Sequence, residues 1–269
     1  MRPAFCAASS QIDVLQMPQT EHQPTTSATA SLLEVDGLGK RFGGFVALEN
    51  ISLSVAAGER VGLIGPNGSG KSTLVNCICG TLRNEEGSVR FNGRPIDGLA
   101  AHQRTHLGLS RSFQLPRPFV SLSLLDNVRI PRLYTVEARA HHSAQQIEEH
   151  CHGLLREVGL EEKARHLPRD LTQVEMRKLE LARAMAAEPK LLIADEAMAG
   201  LTRSEIEDIL TLLVRLNEQG VTIILIEHIM SAVMSFSRRL VVLVSGRKIA
   251  DGQPETVMRD PEVERAYLG

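Results

Sequence analysis

Apolar and polar positions change rhythm three times along the chain. From Leu32, the runs Leu32–Val35, Ile51–Val55, Arg60–Ile64 and Ser88–Asn92 alternate or stay apolar between Gly and Asn turns, as strands do. From Ala144 to about Ala186 the chain reads as helices, broken near Gly159 and around Leu167–Asp170. Strands return at Leu191–Ala194, Val221–Ile226 and Leu240–Val244, separated by helices. Such alternation predicts an α/β fold with a parallel sheet and crossovers.

The clearest helix follows Leu201. Thr202 and Glu205 have capping-box spacing, Ile206, Ile209, Leu210, Leu213 and Leu216 form one apolar stripe, and Gly220 is placed to stop it. A second helix is expected over Lys71–Cys79, directly after the strand Arg60–Ile64 and ending at Gly80.

Before Leu32 no periodicity is sustained. Met1 to about Ser31 is rich in Ser, Thr, Gln, Ala and Pro with three charged side chains, and reads as a disordered extension. No continuous apolar core follows Arg2, so it is not a secretion signal; an overextended start codon is the alternative. With 269 residues and 43% hydrophobic content the chain can bury a full core, as one large domain or two small ones.

Charge and aromatic content narrow the function classes. A net charge of −2, 3% aromatic residues and no Trp offer neither basic surplus nor stacking platform for nucleic acid, so no nucleic-acid partner is expected. No apolar run reaches membrane-span length, so a membrane role must be borrowed from a partner. Cys6, Cys77, Cys79 and Cys151 lack C-x-x-C spacing and read as reduced thiols. His141, His142, His150 and His152 read as part of a solvated helix rather than a metal site, because adjacent helical residues point to different faces.

The chemistry begins at Gly65, Pro66, Asn67, Gly68, Ser69, Gly70, Lys71, Ser72 and Thr73. Glycines allow a tight turn whose N–H groups point inward, Lys71 reaches the outer phosphates of a nucleotide, and the Ser72 hydroxyl suits a magnesium ion. The strand before and the helix after are the required context, and the helix N-terminus adds N–H donors and about half a positive charge of dipole. The phosphates of a nucleotide and Mg²⁺ are therefore the expected ligands.

Far downstream, Leu191–Ala194 runs into Asp195 and Glu196. Parallel sheets place such strand ends beside the phosphates, where Asp195 can hold Mg²⁺ through its water shell and Glu196 can polarise the attacking water. Val221–Ile226 is followed by Glu227 and His228, and a histidine there can reach the γ-phosphate.

Taken in this order, the motifs from about Leu32 to Gly269 resemble the nucleotide-binding subunits of ABC transporters. The resemblance implies a P-loop NTPase parallel-sheet core, an N-terminal antiparallel β region and an inserted helical subdomain at about 115–186, within an ATP-binding domain of 32–269. It implies that Phe42 stacks on adenine and that Gln114, in Arg111–Gln114, contacts Mg²⁺ and the attacking water while linking to a transmembrane partner. Catalytic roles fall to Glu196, His228, Gln114 and Lys71, and metal contacts to Ser72, Gln114 and Asp195. The partners implied are transmembrane permease subunits, contacted just after Gln114 through about Val128, a second nucleotide-binding subunit and, indirectly, an extracytoplasmic solute-binding protein. The chain would then lie on the cytoplasmic side of the inner membrane.

Within the family, Arg41–Gly44, Arg111–Gln114, Ala199–Leu201, Glu227–His228 and the ending Arg265–Gly269 look like ATPases of branched-chain amino acid importers. Lipopolysaccharide-export ATPases are similar in the tail and stand as the alternative. A DNA-repair or translation ATPase would bring a tandem cassette, zinc cysteines or a basic surface, which this chain lacks.

One motif departs. Where the family has Leu-Ser-Gly-Gly-Gln, the chain has Leu171, Thr172, Gln173, Val174 and Glu175, which by resemblance face the ATP held by the partner subunit. If the second glycine needs a left-handed backbone, Val174 costs at least about 1–2 kcal/mol. Ala197 replaces a proline after the carboxylates, and Thr202 replaces an Asp or Asn while retaining an N-cap role. These departures point to a different chain as second subunit, with one strong and one weak site. Two other possibilities remain: tolerance of the change, and a regulatory ATP-binding subunit with little hydrolysis.

Overall fold

The computed structural model describes residues 31–112 and 116–268. The order is β1 (Ser31–Phe42), β2 (Phe45–Ala56), β3 (Arg60–Ile64), α1 (Lys71–Cys79), β4 (Glu86–Phe91), β5 (Arg94–Pro95), α2 (Ala101–His106) and β6 (Leu109–Ser112). There follow α3 (Leu124–Thr135), α4 (Glu137–Ala140), α5 (Ala144–Glu157), two single 3₁₀ turns and α6 (Gln173–Met185). The chain closes with β7 (Leu191–Asp195), α7 (Arg203–Glu218), β8 (Thr222–Ile226), α8 (Met230–Phe236), β9 (Arg239–Val244), β10 (Arg247–Gly252), α9 (Pro254–Val257) and α10 (Pro261–Leu268).

Two sheets form, so the α/β architecture has an antiparallel part and a mainly parallel part. The first has order β2-β1-β4-β5 and pairs antiparallel; the second has order β10-β9-β3-β8-β7-β6. In the second, β9, β3, β8, β7 and β6 run parallel and only β10 is antiparallel. Parallel central strands are covered on both faces, which is why β7 and β8 are buried at every position.

Alternate residues of these strands feed different cores. Ile193, Ile224, Ile226 and Val241 pack with α1 and the antiparallel sheet, whereas Leu192, Ala194, Ile223 and Leu225 pack with α3, α5, α6 and α7. Each such leucine or isoleucine contributes about 1.5–3 kcal/mol by leaving water. A third, smaller cluster joins Ile64, Val233, Leu240, Val242, Val257 and Val263, and so ties α10 to the end of β3.

Several elements differ from the sequence reading. β1 runs on past Val35 because register shifts between Val35 and Leu38 break its alternation without ending its pairing. It also starts at Ser31, whose Oγ donates to the Leu33 carbonyl at 2.9 Å, so Ser31 belongs to the strand; residues 1–30, with Cys6 and the extension expected there, lie outside the described residues. α3 was not apparent because Pro131 lies inside it. α5 begins at Ala144, leaving His141 and His142 before the helix, while His150 is half-buried on it. The Thr202 cap is as read: its side chain accepts from the Glu205 N–H, and Glu205 returns a bond to the Thr202 N–H at 2.8 Å.

Candidate functional site

The C-terminal ends of β3, β7 and β8 meet at one edge, because Leu63 and Asp195 both stand in register with Ile226. The loop after β3 turns back over this edge. Gly65, at φ +151, lies against β9: a Cβ there would come within 2.1 Å of the Leu243 carbonyl oxygen, so only glycine fits. Gly68 and Gly70 also have positive φ, and Lys71 opens α1 directly after them.

Lys71 is buried, and its ammonium folds into its own loop. Nζ donates to the carbonyls of Gly65 at 2.7 Å and Pro66 at 3.1 Å, and reaches Ser69 Oγ at 3.5 Å. Burial lowers the Lys71 pKa, while the carboxylates of Glu196 and Asp195 pull it back up. A buried cation held by loop carbonyls is a group with which anionic oxygens can pair. Ser72 is exposed on the same turn.

An open cleft of about 260 Å³ runs from Phe42 and Phe45, over residues 67–73, to Glu196 and His228. Phe42 and Phe45 are 48% and 64% exposed, so both rings offer apolar surface at one end of the cleft. Lys40 Nζ stands 5.3 Å from the Phe42 ring centre.

Across the cleft, Asp195 ends β7 nearly buried. Its Oδ2 is 2.5 Å from Arg111 Nη2, its N–H donates to Ser112 Oγ at 3.4 Å, and Arg111 Nη1 donates to Asn76 Oδ1 at 2.7 Å. Glu196 takes a left-handed backbone at φ +47, which costs a non-glycine residue about 1–3 kcal/mol and marks an over-determined position. Its N–H donates to the Ile226 carbonyl at 2.9 Å, and its Oε1 lies 2.9 Å from His228 Nε2. Glu227 is buried and accepts the Met198 N–H at 2.8 Å; burial raises its pKa, outweighing those hydrogen bonds.

The remaining sequence candidates are placed as follows. Thr172 caps α6, accepting the Glu175 N–H at 3.3 Å, while Glu175 accepts the Thr172 N–H at 2.9 Å and meets Lys163 at 2.6 Å. Gln173 and Val174 form the first turn of α6. Val174 is right-handed helical, so the left-handed strain entertained for it does not arise: the segment opens as an ordinary capped helix. Gln114 lies outside the described residues.

Sequence reasoning overlooked Phe45, Asn76, Glu227 and the pairing of Arg111. It also overlooked Asn127, which is wholly buried on α3 and holds the preceding loop by accepting the Phe119 N–H at 2.7 Å and donating to the carbonyls of Phe119, Leu122 and Ser123. The available signals were weak: Asn76 lies one helical turn beyond Ser72, and Glu227 adjoins His228.

A profile described as ABC transporter matches residues 48–199, and one described as branched-chain amino acid ATP-binding cassette transporter matches residues 247–269. The chain is 37% identical over 250 residues to the high-affinity branched-chain amino acid transport ATP-binding protein BraF of Pseudomonas aeruginosa, spanning 88% of this chain and 98% of that protein. It is 35% identical over 251 residues to the LivG protein of the same description from Escherichia coli K12, with the same coverage. Among solved structures, a nucleotide-free ATP-binding cassette from an ABC transporter is similar at a TM-score of 0.80 and 30% identity, over 89% of this chain and all of that one. The ADP conformation of MJ1267, an ATP-binding cassette of an ABC transporter, is similar at 0.79 and 30% identity, over 90% of this chain and all of that one.

Proposed function

The chain belongs to the ABC transporter family, and from that premise we propose that it binds and hydrolyses ATP to power uptake of branched-chain or related amino acids through membrane permease subunits. The observation that carries the catalytic part is the pairing of Glu196 Oε1 with His228 Nε2 at 2.9 Å, on the opposite wall of the cleft from the Lys71 loop. The relatives' names support the importer reading, and the lipopolysaccharide-export alternative is not favoured.

In this reading the adenine lies against Phe42, with Phe45 beside it, and the phosphates lie over the N–H groups of residues 67–73. Lys71 exchanges its loop carbonyls for phosphate oxygens. Glu196 polarises the attacking water and takes its proton, and His228 holds Glu196 in place while reaching the γ-phosphate. The donor set fits Mg²⁺, since the Ser72 hydroxyl and the Asp195 carboxylate are the oxygen ligands a hard cation prefers, with Gln114 as the third contact. When bound, the ion supplies charge neutralisation at the β- and γ-phosphates.

Permease subunits would dock on the segment that follows Gln114. Phe119 and Val120 are exposed there, 42% and 71%, on the loop that Asn127 holds. No helix among the described residues is long and apolar enough to cross a membrane; attachment through those subunits would put the chain on the cytoplasmic face. An extracytoplasmic solute-binding protein would deliver the solute to the permease.

The α6 N-terminus favours a second reading for one of the two nucleotide sites. Thr172 and Glu175 close on each other there, and in this reading the Glu175 carboxylate would face a partner's γ-phosphate. The second subunit is then a different chain with an intact signature, and only one of the two sites turns over rapidly. Phosphate release by the chain with its permease and partner tests both parts: no release sinks the enzyme reading, and full two-site hydrolysis by an ATP-dependent homodimer sinks the asymmetric one.

A further inference from the structure

The turn behind Glu196 is tied down on two sides. Within it, the Ala199 N–H donates to the Glu196 carbonyl at 3.4 Å and the Leu201 N–H to that of Met198 at 3.2 Å. From the β8 side, buried Glu227 accepts the Met198 N–H at 2.8 Å. From the α6 side, Gln173 Nε2 donates to the Ala199 carbonyl at 3.1 Å. Gly200, at φ +80, leaves room for that amide: a Cβ there would stand 2.6 Å from Gln173 Nε2.

We propose that Gln173 is a positioning residue for Glu196: its side-chain amide clamps the turn of residues 197–201 and so helps to hold the glutamate in its left-handed conformation. A glycine, which the signature motif has at this position, has no side chain with which to make the bond. The substitution that alters the surface offered to the partner's nucleotide thus acts on this chain's own site. The inference rests on the reading of Glu196 as the group that polarises water. It also joins the α6 N-terminus to that group through one short run of bonds: Gln173 to Ala199, Met198 to Glu227, and Glu196 to His228.

The test uses Gln173→Ala and Gln173→Glu in the full chain, since both remove the donor and neither disturbs the Thr172 cap. In the nucleotide-free protein, hydrogen exchange at the amides of Met198, Ala199 and Leu201 should accelerate about two- to fivefold, the worth of one exposed hydrogen bond, with α6 and α7 unchanged. In the assembled complex, kcat for ATP at this chain's own site should fall by a similar factor, read in Gln173→Ala, which adds no charge to the surface offered to the partner's nucleotide. Unchanged exchange at the turn overturns the clamp, as does acceleration that spreads through α6, which would make Gln173 a helix-stabilising residue only. A wild-type complex that releases no phosphate overturns the functional reading instead, and leaves the exchange result to decide the clamp alone.

Discussion

Arg111 grips Asp195 from the neighbouring strand, Nη2 to Oδ2 at 2.5 Å, with only 16% and 8% of the two side chains exposed. Taking the arginine away leaves a nearly buried carboxylate without its counter-charge, a more damaging change than losing the pair altogether. Arg111→Met should therefore cost about 2–3 kcal/mol in urea unfolding. Adding Asp195→Asn in that background should recover part of the loss, and a purely additive double-mutant cycle would refute the coupling.

Glu196 and Lys71 should separate chemistry from binding. Glu196→Gln keeps the shape of the cleft but removes the carboxylate proposed as the base, so ATP should bind normally while phosphate release falls about 10²–10⁴-fold. Lys71→Ala removes a charged donor to the phosphates, and nucleotide affinity should fall about 10- to 100-fold by calorimetry. His228→Ala, by freeing Glu196 Oε1, should lower kcat with little change in affinity.

How much of this was legible in advance depended on whether the signal was local. Arg60–Ile64, Lys71–Cys79 and the helix from Arg203 stand close to where periodicity and caps put them, because Gly80, Thr202 and Gly220 mark the ends within a few residues. β6 left no such mark: it alternates Leu109 and Arg111 with Ser110 and Ser112, and an edge strand with two serines has no apolar run to detect. The Glu196 and His228 pair could be listed from sequence but not joined, since 32 residues separate them. Arg111 and Asp195 are 84 residues apart, and only the pairing of β6 with β7 brings them together.

Glu227 should make stability depend on pH. Burial raises its folded-state pKa above the unfolded value of 4.5, so between the two values the native protein holds the extra proton and stability falls as pH rises. Glu227→Gln keeps an oxygen for the Met198 N–H and removes the charge. The variant should be more stable than the parent at pH 7, with the gap closing as pH falls toward 4.5, as thermal melts across that range would show. A gap that widens on acidification would reverse the sign and defeat the argument.

The C-terminal helix reaches the phosphate loop. Val263 is fully buried against Ile64 and its neighbours, and Tyr267 stands beside the loop: burial raises its phenol pKa, while the neighbouring Gly65 backbone lowers it. Tyr267→Phe removes the hydroxyl beside the Gly65 backbone while the Val263 anchor stays. ADP affinity should drop about fivefold with the melting temperature nearly unchanged. Equal affinities in the two proteins would mean that α10 merely covers the sheet.

Glu175 offers the most direct test of asymmetry between the two nucleotide sites. Because Val174 is already right-handed, Val174→Gly relieves no strain and should simply cost the first turn of α6 about 0.5–1 kcal/mol. The charge is a different matter. Glu175 meets Lys163 at 2.6 Å and the Thr172 N–H at 2.9 Å, so its carboxylate is fixed at the mouth of the helix, where on the proposed reading it would oppose an approaching phosphate. Glu175→Gln keeps the capping geometry, since an amide oxygen can still accept the Thr172 N–H, and removes the repulsion. In the assembled complex the substitution should raise phosphate release at the weak site, moving the yield in a single turnover from one phosphate per complex toward two. A yield that stays at one would assign the weakness to the bulk of Gln173 and Val174 rather than to the charge.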